Sequence, residues 1–70
     1  MGKRLIIYCE GKNSFEADGN RFNSLEEIAE NLKRNGGVPE HGVRMCYRGK
    51  DAPFGEEREK IREKYYKIFK

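Results

Sequence analysis

Three side chains of this chain are suited to nucleophilic or metal chemistry: Cys9, His41 and Cys46. A thiolate beside an imidazole base makes a nucleophile, and the same residue types ligate zinc. A tetrahedral protein site takes four ligands, so two cysteines and one histidine fall one short. His41 stands between Glu40 and Gly42 in a polar stretch and reads as a surface histidine. Cys9 and Cys46 lie far apart in two apolar runs, where thiols behave as small buried hydrophobes. Side-by-side pairing of those runs would allow a disulfide, but in a reducing compartment free thiols are the simpler expectation. Glu10 ends an apolar run and reads as a strand-end carboxylate. The eight glycines fall at turns and caps and form no phosphate loop. The expectation is a protein with no catalytic residues, no metal and no cofactor.

What is left is recognition chemistry, and two groups of residues could supply it. Lys3, Arg4, Arg44, Arg48 and Lys50, with Tyr8 and Tyr47 interleaved, could form a basic and aromatic patch, cations for phosphates and rings for stacked bases. Against this, acidic residues stand close to each of these cations in the sequence. The second group is Tyr65, Tyr66 and Phe69 near the C-terminus, in a charged stretch that turns aromatic only at its end. Aromatic side chains on a rigid helix are favoured interface anchors. A domain this small also needs aromatic rings for its own core.

Two periodicities indicate the elements that must position these groups. Lys3 to Glu10 reads as a strand with apolar residues on both faces, the pattern of a central strand. Ser14 to Asp18 alternates around Phe15 and Ala17 and reads as a second, edge strand. Asp18, Gly19 and Asn20 turn the chain sharply, and Arg21 and Phe22 return it toward the sheet. Ser24, with Glu27 three residues on, has the form of a capping box and starts a helix whose apolar stripe is Leu25, Ile28, Ala29 and Leu32. Glu30 and Arg34 are spaced as a pair along it, and Gly36 and Gly37 stop it.

Val43 to Arg48 fits two periods. As a strand, Val43, Met45 and Tyr47 share one face, opposite Arg44, Cys46 and Arg48. As a helix, it would be the recognition helix of a helix-turn-helix unit. Its β-branched and aromatic content between Gly42 and Gly49 favours the strand. From Gly55 onward the chain reads as a second helix, for which Asp51 is a candidate cap. Phe54, Ile61, Tyr65 and Ile68 recur along it as a core stripe that Tyr66 and Phe69 widen.

Seventy residues allow a single domain, residues 1–70, with little stability to spare for a strained catalytic site. The expected fold is a small α+β domain, a three-stranded, mostly antiparallel sheet with two helices in the order β-β-α-β-α. Fifteen basic against twelve acidic residues leave a net charge of only +3, which permits nucleic-acid contact without favouring it. No apolar run has membrane-spanning or signal-peptide length, so no membrane partner and a cytoplasmic location are expected. The sequence favours a small non-catalytic binding protein, a modulator or inhibitor of another protein acting through its C-terminal helix or a sheet edge. The alternative is a nucleic-acid-binding module using the patch on the third strand. Self-association as a homodimer stays open, and a ribonuclease-like use of His41 ranks last.

Overall fold

A computed structural model describes residues 4–37, 39–40 and 42–69. Lys3 and His41 therefore lie outside the described residues. The chain forms β1 (Leu5–Gly11), β2 (Ser14–Ala17), β3 (Asn20–Phe22), α1 (Leu25–Arg34), β4 (Val43–Tyr47) and α2 (Gly55–Phe69). It is an α+β fold with two helices and a four-stranded mixed sheet in the order β3-β2-β1-β4.

This corrects the expected three-stranded, mostly antiparallel sheet, and one short element accounts for the difference. Asp18 and Gly19 both have positive φ, 53° and 79°. Such a pair closes a two-residue hairpin whose twist suits the flanking strands. Ala17 thus pairs with Asn20, Glu16 with Arg21 and Phe15 with Phe22. The return of the chain is a third strand, and β2 is interior rather than an edge. With β3 counted, the three-strand meander ends pointing the same way as β1. Helix α1 then carries the chain across the sheet, and β4 pairs parallel to β1, Leu5 opposite Val43 through Cys9 opposite Tyr47. Without β3 the same crossover would have delivered β4 antiparallel to β1.

The segment 43–47 is a strand, which removes the helix-turn-helix alternative. Alternation along it and along β1 sorts residues between two faces. One face is covered by both helices: Ile7, Cys9, Phe15, Ala17 and Val43 pack with Leu25 and Ile28 of α1 and Tyr65 of α2 in a single core. The other face, with Ile6, Tyr8, Glu10, Glu16 and Arg44, has no helix over it.

The start of α1 forms as its residues require. Ser24 Oγ accepts the Glu27 N–H at 3.3 Å, and Glu27 Oε1 accepts the N–H of Asn23 at 3.2 Å, one residue earlier than in the usual reciprocal box. Leu25 and Ile28 are buried, Ala29 and Leu32 half-buried. Glu30 and Arg34 do not close into an ion pair; Glu26 of α1 instead meets Lys64 of α2 at 2.8 Å and ties the helices together. Helix α2 starts at Gly55, whose φ of 62° suits glycine, so Asp51 lies too far upstream to cap it. Its core stripe is shorter than its spacing suggests. Tyr65 is buried, Ile61, Ile68 and Phe69 are half-buried against the core, and Phe54 is 83% exposed.

Candidate functional site

The two cysteines are free and occupy opposite faces of the sheet. The register sets Cys9 across from Tyr47 and Tyr8 across from Cys46, so the thiols are one residue out of phase. That phase difference excludes the disulfide. Cys9 is fully buried, burial pushes its thiol up, and Sγ donates to the Gly11 carbonyl at 3.5 Å. A thiol in that setting is a poor nucleophile. Among the described residues no three His, Cys, Asp or Glu side chains gather where they could hold a metal ion.

The basic patch separates into parts. Arg44 and Arg48 lie on the uncovered face with Tyr8, whereas Tyr47 points to the helix side of the sheet. The Arg48 guanidinium lies 4.1 Å from the centre of the Tyr8 ring. It also donates to Glu10 at 2.7 Å and Glu16 at 3.0 Å, and Arg21 reaches Glu10 at 2.9 Å. Two cations and two carboxylates thus neutralise each other across β3, β2 and β1. The hydrogen bond from Arg48, with Arg21 beside it, holds the Glu10 carboxyl below the usual carboxylate range. Arg44 is exposed at the other end of this face, across from Ile6, Arg4 is exposed just before β1, and Lys50 is exposed in the loop after β4.

The aromatic group meets one member of the basic patch on the helix side. Tyr47 of β4 lines a groove with Met45 and with Arg58, Arg62, Tyr65 and Tyr66 of α2. Tyr65 is a wall rather than a contact residue: it is 7% exposed, and its hydroxyl donates to the backbone carbonyl of Val43. Tyr66 is 46% exposed, its ring 5.5 Å from that of Tyr65. The Phe69 ring lies 5.7 Å from that of Tyr65, at the margin of the core. Arg58 stacks over Tyr47 at 4.2 Å and Arg62 over Tyr66 at 5.6 Å. Burial pushes the Tyr47 phenol up while Arg58 pulls the other way, yet the hydroxyl is buried with no hydrogen-bond partner among the described residues.

The backbone beside this groove is a sheet edge. The Gly42 carbonyl accepts the Leu5 N–H at 3.1 Å, and the Arg48 N–H donates to the Cys9 carbonyl at 3.0 Å. In a parallel ladder alternate residues of one strand bond the same neighbour, so Arg44 and Cys46 continue that row toward β1. The backbone groups of Val43, Met45 and Tyr47 therefore point away from the sheet, and the Tyr65 hydroxyl donates to the first carbonyl of that row.

Sequence reasoning named Tyr47, Tyr65 and Tyr66 but assigned them to two different surfaces, and it passed over Met45, Arg58 and Arg62. A signal for the arginines was present: Arg58, Arg62 and Tyr66 recur every four residues, a second stripe beside the apolar one. No family model, curated protein or solved structure matches the chain.

Proposed function

We propose that this chain is a non-catalytic protein-binding module, a modulator or inhibitor, that takes an extended segment of its partner as an additional strand on the free edge of β4. The observation that carries this reading is the row of outward-facing backbone groups at Val43, Met45 and Tyr47 alongside an arginine- and tyrosine-lined wall on α2. Strand addition draws affinity from main-chain hydrogen bonds and specificity from the side-chain pockets beside them. The two parts of the earlier expectation, C-terminal helix and sheet edge, become one surface. A reducing compartment such as the cytoplasm suits two unpaired thiols. No described helix is long and apolar enough to cross a membrane.

The nucleic-acid alternative has less support. Arg48 is occupied by Glu10 and Glu16, and Tyr47 stands on the opposite face from Arg44. The patch expected on the third strand therefore does not bring its rings and unpaired cations onto one surface, as stacking combined with phosphate contact requires.

A 70-residue chain is within reach of chemical synthesis, which allows a single backbone change at Met45. N-methylation there removes one outward N–H and leaves every side chain and the β1 ladder in place. Capture from a native lysate is compared for the natural chain, the N-methylated chain and Arg48→Ala, each with and without nuclease. We expect partners that survive nuclease, are lost on N-methylation and are kept by Arg48→Ala. Partners removed by nuclease and indifferent to N-methylation would overturn the reading in favour of nucleic acid.

A further inference from the structure

We infer that the segment received on the β4 edge is acidic on one face, with carboxylates at alternate residues that meet Arg58 and Arg62. This rests on the strand-addition reading and adds the chemical class of the ligand.

The first support is unmatched charge. Arg58 has no carboxylate within 4.0 Å among the described residues, and Arg62 has only Glu59, at 3.9 Å on the exposed helix surface. On the uncovered face, by contrast, Arg21 and Arg48 are each matched at 3.0 Å or closer. The Arg58 guanidinium lies 4.2 Å from the centre of the Tyr47 ring and that of Arg62 5.6 Å from Tyr66, which holds both cations along the groove, where a carboxylate can meet them.

The second support is spacing. Residues four apart on a helix are separated by about 6 Å along its axis, and residues two apart on a strand by nearly 7 Å. A strand laid along β4 presents every second side chain to the helix side. Two consecutive side chains on that face therefore match the Arg58 to Arg62 step. The third is the Tyr47 hydroxyl, a buried polar group in the lining of the same groove that has no hydrogen-bond partner among the described residues.

A second copy of this chain is the less suitable occupant. Edge-to-edge pairing would bring together two β4 strands, each carrying Arg44 and flanked by Arg58 and Arg62, and like charges opposed across a sheet are unfavourable. The acidic pairs of this chain at the required spacing are Glu16 with Asp18, in the interior β2 strand and its hairpin turn, and Glu57 with Glu59, inside α2; neither is available as an incoming strand.

The test uses the full chain, isotope-labelled, titrated with a synthetic peptide of about nine residues alternating threonine and glutamate, a length that covers β4 with margin. Counterparts carry glutamine or lysine in place of glutamate. Backbone amide shifts at Met45 and Tyr47 report the edge, and side-chain Nε–H shifts report Arg58 and Arg62. The glutamate peptide should move both sets and bind about tenfold more tightly than the glutamine peptide, a difference of about 1.4 kcal/mol. That preference should fade as salt rises and disappear in the Arg58→Gln, Arg62→Gln double variant, whose dispersed spectrum verifies folding. Equal binding of the glutamate and glutamine peptides at the edge would overturn the acidic preference and leave strand addition standing. Shifts confined to Arg4 and Arg44, or no shift from any of the three peptides, would also overturn it. Edge shifts that grow with protein concentration in the absence of peptide would assign the edge to a second copy and overturn it too. The N-methyl comparison described above judges strand addition independently of all these outcomes.

Discussion

The uncovered face of the sheet and the groove along β4 are built from the same two residue types, arginine and tyrosine, in nearly the same contact. Arg48 stacks on Tyr8 at 4.1 Å and Arg58 on Tyr47 at 4.2 Å. They differ in what else lies within reach. On the uncovered face Glu10 and Glu16 stand opposite the arginines across the strands and neutralise them at 2.7 to 3.0 Å. Along the groove, among the described residues, the one carboxylate within 4.0 Å of either arginine is Glu59, at 3.9 Å from Arg62. Arg21 and Arg48 on the first surface are neutralised there; the second has cations, a buried hydroxyl and a backbone edge without such partners among the described residues. An interleaving of basic and aromatic residues thus carries no functional meaning until the counter-charges are placed in space.

The strongest way to disturb this contrast is at Tyr65, which anchors α2 to the start of β4. Tyr65→Phe removes the donor to the Val43 carbonyl and leaves that buried acceptor unpaired, which costs about 1 to 3 kcal/mol. Urea melts should show this loss. In the same variant the side-chain Nε–H resonance of Arg48 should stay in place while those of Arg58 and Arg62 move. Equal movement on both surfaces would mean that they are not independent.

A smaller effect sharpens the contrast from the other side. Because the Glu10 carboxyl is held below its ordinary range, the ion network stabilises the fold above the unfolded carboxylate value of about 4.3. That contribution is lost as pH falls through the lower folded value. Glu10→Gln should therefore lower the thermal midpoint slightly at neutral pH, with the gap to the natural chain closing in acid. A gap independent of pH would show that the network contributes nothing through charge, as many exposed ion pairs do not. Peptide binding at the β4 edge should be unaffected by this substitution.

Much of the scaffold was legible in the sequence because it rests on local rules. The Ser24 cap, the stripe from Leu25 to Leu32 and the strand at 43–47 all follow from short-range spacing. The central position of β1 follows from its two apolar faces. The direction of β4 was not legible because it depends on a count of strands. Asn20–Phe22 is only three residues long, too short for periodicity to register, although Asp18-Gly19 is a strong hairpin signal. One overlooked strand changed both the sheet order and the sense of β4. The charge pairing was illegible for a different reason. Arg48 and Glu10 are 38 residues apart, and their meeting follows from the β1 and β4 register rather than from any local pattern. The groove escaped notice because the Tyr47 side chain was grouped with Arg44 and Arg48 by sequence proximity, whereas strand alternation turns it to the other face. Phe54 fits the spacing of the core stripe yet stands exposed, since it precedes the first residue of α2.

The central claim is that the outer edge of β4 is open, and amide hydrogen exchange of the natural chain in dilute solution tests it most directly. The N–H groups of Arg44 and Cys46 point into the sheet, and those of Met45 and Tyr47 point out of it. An alternating pattern is expected along the strand, with Arg44 and Cys46 protected to near the global limit and Met45 and Tyr47 exchanging far faster. Uniform protection from Arg44 to Tyr47 would contradict the claim, because it would mean that the edge is already covered.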